Sequence, residues 1–171
     1  MAKKVVKSLI TDFKKFKSAW EKDAGDPLES IMYYLIAALN VEKDPKLADA
    51  MMTVVVSKND TLEDSGSPSG MKLGRGARYY VGQFKKNPNI AKSYVGGTSD
   101  NNYKISKGAL RMNVVREQDM GDRLKVFIDC GGADSARPVQ VAKNKHGQWK
   151  LIEYSSLCVG IKKPASEVGD F

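Results

Sequence analysis

The sequence contains few residues of the kinds that bind metals or form disulfides: one histidine, His146, and two cysteines, Cys130 and Cys158. Neither a Cys-x-x-Cys motif nor a pair of histidines at zinc-binding spacing is present. Each cysteine lies in an apolar run, where a thiol ordinarily packs as a small hydrophobic side chain. We therefore expect two buried cysteines without a disulfide, no metal and no cofactor.

Long apolar runs are absent as well. No segment approaches the roughly 18 consecutive apolar residues of a transmembrane helix. In residues 1–20, lysines interrupt the apolar residues, so this segment lacks the continuous apolar region and the cleavage site of a secretory signal peptide. These absences predict a cytoplasmic protein with no membrane span.

Motifs of enzymatic catalysis are also missing. No Gly-x-Ser-x-Gly motif surrounds a serine, and Gly74-Arg75-Gly76 is too short for a phosphate loop and is followed by no Gly-Lys-Ser/Thr. His146 falls in a predicted hairpin turn, where a side chain is more often exposed than placed as a general base. We assign no catalytic residue, and the sequence favours a protein that is not an enzyme.

Apolar residues and positive charge are both plentiful. The 171 residues are 42% hydrophobic and 28% charged, which is typical of a folded chain with its own core, and we expect a single domain over residues 1–171. The net charge of +8 is uneven: residues 72–116 carry ten lysines and arginines and one acid, Asp100, whereas residues 23–71 are acidic. This layout is compatible with internal charge pairing and with a polyanionic partner.

Three helices are predicted in residues 1–56. Apolar residues at helical spacing predict a basic amphipathic helix of about five turns between Val5 and Trp20, docked on its own domain or on a partner. The next two helices begin at Asp26-Pro27 and Asp44-Pro45, where an aspartate caps the helix and a proline occupies its first position.

The second of these helices is apolar on nearly all sides, which predicts a central, covered position. Its two adjacent tyrosines, Tyr33 and Tyr34, are interpreted as core residues whose hydroxyl groups need partners. The alternative is that they line a small-molecule pocket between the helices and the sheet.

Residues 57–76 are rich in glycine, serine and proline and predict a mobile loop, and residues 77–108 predict short helices and a further loop. Basic and aromatic residues alternate around these helices. Such interleaving occurs in proteins that bind single-stranded nucleic acid, although a solvated helix face is the commoner cause. The candidate polyanion surface consists of Arg75, Arg78, Lys85, Lys86 and Lys92.

From Ala109 the apolar residues recur with a period of two, which predicts strands. One hairpin joins residues 110–115 to 124–130, a second turns at residues 144–147, and residues 156–161 are predicted to form a last strand before a loose tail at 162–171. The chain is therefore expected to be α+β. N-terminal helices would pack on one face of a C-terminal antiparallel sheet of four to five strands, residues 109–161.

Two polar loops near these strands are candidates for a ligand or partner site, because polar loops on a rigid sheet often carry function. In a structural alternative, Asp134 binds backbone amides or pairs with Arg137 to hold a turn before Pro138. The candidate residues are Asn101, Asn102 and Tyr103 in the first loop and Asp134, Ser135 and Arg137 in the second.

Three blocks resemble the signatures of an uncharacterised bacterial family of unknown function: SYVGGTSDNNY (93–103), CGGADSARPVQVAKNKHGQWKL (130–151) and EYSSLCVGIKKP (153–164). The chain departs from that pattern at residues 130–132, at Ala136 and at Cys158. The resemblance covers residues 75–164; it implies an intact domain and no particular activity. A looser similarity, carried by the hairpin that ends in Gly-x-Trp-Lys, is to nuclear-transport-factor-like cone folds, which often hold a pocket between sheet and helices.

Three functions are compatible with these features. The favoured one is a non-enzymatic binding or protein-interaction module of unknown specificity, because the chain has a complete core, two specific polar loops and no catalytic motif. The alternatives are a small-molecule-binding or enzymatic cone-type domain and a weak nucleic-acid binder.

Overall fold

The computed structural model describes residues 3–169. Its helices are α1 (Phe13–Asp23), α2 (Pro27–Leu39), α3 (Pro45–Val55), α4 (Arg75–Lys86) and α5 (Asn89–Lys92). Its strands are β1 (Lys3–Lys7), β2 (Thr61–Glu63), β3 (Met71–Leu73), β4 (Leu110–Asp119), β5 (Leu124–Ile128), β6 (Arg137–Lys143) and β7 (Trp149–Glu153). Short 3-10 helices lie at Lys58–Asp60, Ser155–Cys158 and Ala165–Glu167.

Five strands form one antiparallel sheet in the order β1-β4-β5-β6-β7, and β2 and β3 form a separate two-stranded hairpin. Buried residues recur at every second position of the central strands, such as Val126 and Ile128 in β5 and Val139 and Val141 in β6. Their side of the sheet faces the helices, since α2 contacts β1, β6 and β7. The predicted α+β fold is confirmed.

Helix α2 lies at the centre of the buried region. Asp26 caps it by accepting a hydrogen bond from the Leu28 amide at 2.9 Å, and Asp44 caps α3 through the Leu47 amide at 3.1 Å, as the sequence predicts. Ten of the thirteen residues of α2 are buried. A helix this apolar has no solvent-facing stripe, and the sheet and helices α1, α3 and α5 cover it.

The prediction of a first helix from Val5 to Trp20 is wrong in its first half. Residues Lys3–Lys7 pair with Leu110–Val114 as strand β1, and helix α1 begins after Asp12, whose side chain accepts a hydrogen bond from the Lys15 amide. Residues 3–7 contain only two apolar residues, Val5 and Val6, which are too few to set a period, so pairing with β4 decides their conformation. Phe16 and Trp20 of α1 are buried within the chain itself.

The predicted last strand is also wrong. Residues 155–158 form a 3-10 helix, and β1 supplies the fifth strand of the sheet. The position beside β7 is already taken, because Val56 bridges to Leu151 and the Ser57 amide donates to the Leu151 carbonyl at 2.8 Å. The C-terminal residues therefore have no open strand to pair with on that side.

Residues 57–76 are not loop throughout, because they contain the β2–β3 hairpin. Its turn is closed by a hydrogen bond from the Asp64 amide to the Gly70 carbonyl at 2.9 Å. The Ser69 and Thr53 hydroxyl groups, 2.7 Å apart, connect this turn to α3.

The buried residues form one continuous cluster that includes both cysteines, which are buried and unbonded to each other. In the described part of the chain, no group of three or more His, Cys, Asp or Glu residues has the arrangement of a metal site. Among residues 3–169, no helix combines the length and the apolar character that crossing a bilayer requires.

A polar cluster ties β1 to the helices beneath the sheet. Lys7 Nζ lies 3.0 Å from carboxylate oxygens of both Asp23 and Glu29, and the Tyr33 hydroxyl donates to Asp23 Oδ2 at 2.6 Å. Burial disfavours the charged form of Asp23, but the hydrogen bonds from Tyr33 and Lys7 outweigh it and hold the pKa of Asp23 below its usual value. The ionised carboxylate therefore stabilises the folded state.

We predict that Asp23→Asn lowers the free energy of unfolding at pH 7 by about 1–2 kcal/mol, because it removes a charged acceptor from two donors. The native pKa of Asp23 lies below the unfolded value of about 4, so its stabilisation is present above that pH and is lost as the pH falls further. Urea unfolding between pH 3 and pH 7 should show a smaller loss on acidification in the variant. Asp122→Asn, at an exposed carboxylate, is the control, and equal effects of both substitutions would contradict the prediction.

Candidate functional site

Arg137, predicted as a ligand residue, binds the chain itself. Its guanidinium donates to the Tyr94 hydroxyl at 2.8 Å, to the Val159 carbonyl at 2.7 Å and to the Gly160 carbonyl at 2.6 Å. These carbonyl groups belong to residues 159–166, which we call the C-terminal segment. Arg137 therefore holds the segment that follows the 3-10 helix Ser155–Cys158.

The other two candidate residues of the second polar loop, Asp134 and Ser135, are exposed. Asp134 pairs with Lys162 of the C-terminal segment at 2.6 Å, rather than with Arg137, and the Lys162 hydrogen bond lowers the pKa of Asp134. Ser135 is exposed. The predicted turn-holding role of Asp134 is thus replaced by an ion pair on the surface.

The first polar loop also forms hydrogen bonds to the C-terminal segment. Asn102 Oδ1 accepts a hydrogen bond from the Ser166 amide at 2.9 Å, and the buried Tyr103 donates its hydroxyl proton to the Lys162 carbonyl. Asn101 instead caps its own loop, accepting from the Thr98 amide at 2.8 Å. Residues 162–166, predicted as part of a loose tail, are therefore hydrogen-bonded to the domain; residues 170–171 of that tail lie outside the described residues.

Glycines let the two polar loops approach each other. A side chain at Gly131 would collide with the Gly97 carbonyl oxygen and with Thr98, and one at Gly132 would come within 2.6 Å of the Tyr103 hydroxyl and of Ile161. The Gly131 amide also donates to the Ser93 carbonyl at 2.7 Å. The specific sequence of both loops is accounted for by this packing, and a ligand role for them stays a prediction.

The two tyrosines of α2 enter different surroundings. Tyr33 packs edge-on against Phe16 at a centroid distance of 5.5 Å and donates to Asp23. Tyr34 packs against Tyr154 at 5.1 Å, and within residues 3–169 its buried hydroxyl has no hydrogen-bond partner. Burial raises the pKa of Tyr34 well above its usual value. Both are packed core residues, and a pocket lined by the pair stays a prediction.

The five predicted polyanion residues do not share one environment. Arg78 donates to the Leu73 carbonyl, Lys85 donates to the Glu42 carbonyl, and Lys92 lies 3.8 Å from the Glu42 carboxylate. Arg75 and Lys86 are exposed on α4. The structure brings Lys92 together with Asn102 and Tyr103 at a recess beside Glu42, and it separates this group from Arg75 and Arg78.

A more extensive basic surface lies on the outer face of the large sheet, which no helix covers. We call it the basic sheet face and define it by Lys4 of β1, Arg111 and Arg116 of β4, and Lys125 and Phe127 of β5. The strand register places these residues on one side of the sheet. Lys4 of β1 is opposite Asn113 of β4, Arg111 of β4 is opposite Val6 of β1, and Arg116 of β4 is opposite Phe127 of β5. Within residues 3–169, none of its four cations pairs with a carboxylate.

Phe127 is the aromatic centre of this face. The Arg116 guanidinium lies 3.8 Å from the centroid of the Phe127 ring, and Lys125 Nζ lies 5.3 Å from it. A bulge at Val115 shifts the register of β4 so that Arg116 comes opposite Phe127. The bulge therefore assembles a stacked guanidinium and ring on an open surface.

The outer face continues into a second basic region at the β6–β7 hairpin. The outward residues of β6 run from Pro138, opposite Phe127, through Gln140, opposite Lys125, to Ala142. Ala142 lines a recess of about 600 Å³ together with five basic residues, and no carboxylate lines it. The basic residues of this hairpin recess are Lys58, Lys143, Lys145, His146 and Lys150.

The basic sheet face was not predicted from the sequence, because its residues are dispersed along the chain. The alternation that predicts the strands also predicts that Arg111, Asn113 and Lys125 share the side opposite the core. Two facts are not evident from the sequence: that β1 joins this sheet, and that a bulge places Arg116 over Phe127. The candidate polyanion surface is therefore predicted at α4 and α5 instead.

Conservative substitutions at the two tyrosines of α2 should have opposite effects. Tyr33→Phe leaves Asp23 without a donor and should lower the free energy of unfolding by about 1 kcal/mol, whereas Tyr34→Phe removes an unpartnered hydroxyl and should be neutral or stabilising. Denaturant unfolding of both variants at pH 7 measures this difference. A loss at Tyr34 as large as that at Tyr33 would mean that a partner, such as a buried water, satisfies the Tyr34 hydroxyl.

The loop contact should depend strictly on glycine. We predict that Gly131→Ala destabilises the fold by about 2 kcal/mol or more, because the new methyl group meets backbone that packs tightly. Gly82→Ala is the control: it lies on exposed α4 surface with nothing within 4 Å, and it should stabilise by about 1 kcal/mol. Thermal unfolding distinguishes the two, and a tolerated Gly131→Ala would show that the loops separate easily.

The chain was compared with known families, curated proteins and solved structures. No curated protein and no solved structure matches it. The model of one family, described as a domain of unknown function (DUF6935), matches residues 8–165 and thus nearly all of the residues that build the sheet, the helices and both polar loops. The chain therefore belongs to the DUF6935 family, and the predicted membership in a family of unknown function is confirmed.

Proposed function

We propose that this protein is a non-enzymatic binding module that holds single-stranded nucleic acid across the basic sheet face. The observation that carries the proposal is a set of four cations on the open sheet that have no carboxylate partner within residues 3–169: Lys4, Arg111, Arg116 and Lys125. Two of them, Arg116 and Lys125, lie over the Phe127 ring. The hairpin recess extends the positive charge along β6 toward its far end.

The charge favours a polyanion. Cations that already pair with carboxylates gain little from a phosphate, because binding must first break the existing pair. Cations without such partners instead release the counterions condensed on a nucleic acid, which supplies most of the affinity at low salt. The two exposed valines of the region, Val6 and Val115, are too few to form the apolar centre typical of a protein–protein interface.

The aromatic ring and its guanidinium favour single strands over duplex. Unstacked bases bind to flat protein surfaces by stacking on aromatic rings and on arginine planes, whereas bases inside a duplex expose only their edges. Arg116 lies over the Phe127 ring and is itself exposed, so a base can stack on its outer side. An open antiparallel sheet presents such groups side by side, with neighbouring strands about 4.8 Å apart.

Fluorescence anisotropy with a labelled oligouridylate of about 12 nucleotides tests the proposal. We expect binding at low salt that weakens as salt rises, with a slope of log K against log salt of about −2 to −3, as three to four phosphate contacts would give. A duplex of the same length should bind more weakly. Phe127→Leu, which keeps the apolar bulk but removes the ring, should weaken binding about fivefold or more.

A pair of charge-matched variants locates the surface. Arg111→Glu/Lys125→Glu should weaken binding at least about tenfold, whereas Arg75→Glu/Lys86→Glu, with the same change in net charge on α4, should leave it nearly unchanged. Equal losses would indicate net charge alone, and a loss only in the α4 variant would move the site to the surface that the sequence suggests. No binding at low salt, or equal competition by polyglutamate, would contradict the proposal and favour an acidic protein partner.

A further inference from the structure

A separate recess of about 590 Å³ opens where α2 ends. Its walls come from parts of the chain that are distant in sequence: the segment after β1, the α2–α3 connection, α5, and the loop that precedes β4. We call it the lysine recess. It shares no lining residue with the basic sheet face or with the hairpin recess.

Four lysines line this recess against one acid. Lys43, Lys92, Lys104 and Lys107 converge on it, and Glu42, the sole carboxylate among its lining residues, lies 3.8 Å from Lys92. Lys43, Lys104 and Lys107 make no ion pair with any carboxylate of residues 3–169. Like charges that converge without compensation raise the local potential, and a bound anion lowers it.

The recess is not polar throughout. Leu9, Leu39 and Ile105 line it and are partly buried against the hydrophobic core. A pocket that combines an apolar lining with a few charged groups is typical of sites for small molecules, and its volume lies in the range that such sites have. Inorganic anions would use only the lysines, and hydrocarbons would use only the apolar side chains.

One wall of the recess is held in a conformation that the chain does not adopt readily. Asn102 and Tyr103 both have positive φ, 57° and 56°, although neither is glycine. The Tyr103 amide donates to the Thr98 carbonyl at 2.8 Å, and its hydroxyl group donates to the Lys162 carbonyl of the C-terminal segment. Both the backbone and the side chain of Tyr103 are therefore held in this conformation. The wall that presents Lys104 and Ile105 is therefore preorganised.

We propose that the lysine recess binds a small molecule that carries an anionic head, a phosphate ester or a carboxylate, on a short apolar body. The lysines hold the head, and the leucine and isoleucine side chains cover the apolar part. This assignment is independent of nucleic-acid binding at the basic sheet face, because the two sites use different residues.

Isothermal titration calorimetry with octyl phosphate, octanoate, octanol and inorganic phosphate tests the proposal on the full chain. We expect at least one of the two amphiphiles to bind at least about tenfold more tightly than both octanol and inorganic phosphate. The better of the two identifies the preferred head group. Equal affinity for inorganic phosphate, equal affinity for octanol, or no binding of either amphiphile would overturn the proposal.

Variants assign the binding to this recess. Lys104→Ala/Lys107→Ala removes two side chains that make no ion pair, and it should weaken amphiphile binding at least about tenfold while leaving oligouridylate binding unchanged. Lys14→Ala/Lys15→Ala, at exposed positions of α1, removes the same charge and should have no effect. Ile105→Ser should reduce the advantage of octyl phosphate over inorganic phosphate. Unchanged affinity in the recess variant, with thermal unfolding showing an intact fold, would overturn the assignment.

Discussion

Helix α2 must be covered on nearly every side, and this constraint organises the rest of the chain. Ten of its thirteen residues are buried, so a single packing partner could not shield it from water. The inner face of the five-stranded sheet covers one side, α1 and α3 cover others, and α5 completes the enclosure. Because the sheet must turn its apolar face toward α2, its other face is left to solvent.

The exposed face of the sheet takes its character from that division. Outward positions filled by apolar residues alone would risk aggregation, and here Lys4, Arg111, Arg116 and Lys125 occupy several of them. Lysines 3, 4 and 7 also lie on β1, the edge strand, where charged side chains discourage pairing with other chains. The same cations that protect an open sheet make it suitable for an anionic partner, so solubility and binding need not be separate uses of this surface.

The polar loops show that a specific sequence can serve packing rather than recognition. Gly131, Gly132, Tyr103 and Arg137 are all needed where they stand, because two loops and the C-terminal segment meet with almost no space between them. Tyr103 and Arg137 are the candidate ligand residues among them, because a polar loop on a sheet is a common place for a site. In the structure both side chains bind the C-terminal segment, residues 159–166, and a ligand role for the loops stays a prediction.

The sequence by itself determined the α+β class, the starts of α2 and α3, the central position of α2 and the hairpins of the sheet. These features follow from local chemistry: capping aspartates, prolines at first helical positions, and apolar periods of 3.6 and 2. Tertiary structure alone decided that residues 3–7 join the sheet as an edge strand, because their two apolar residues, Val5 and Val6, are too few to set a period and pairing with β4 decides. Tertiary structure also decided the two basic recesses and the basic sheet face. The burial of α2 brings distant segments together, and only then do Lys4, Arg111 and Lys125 share one face of the sheet. In the same way, Lys43, Lys92 and Lys107 come to line one recess.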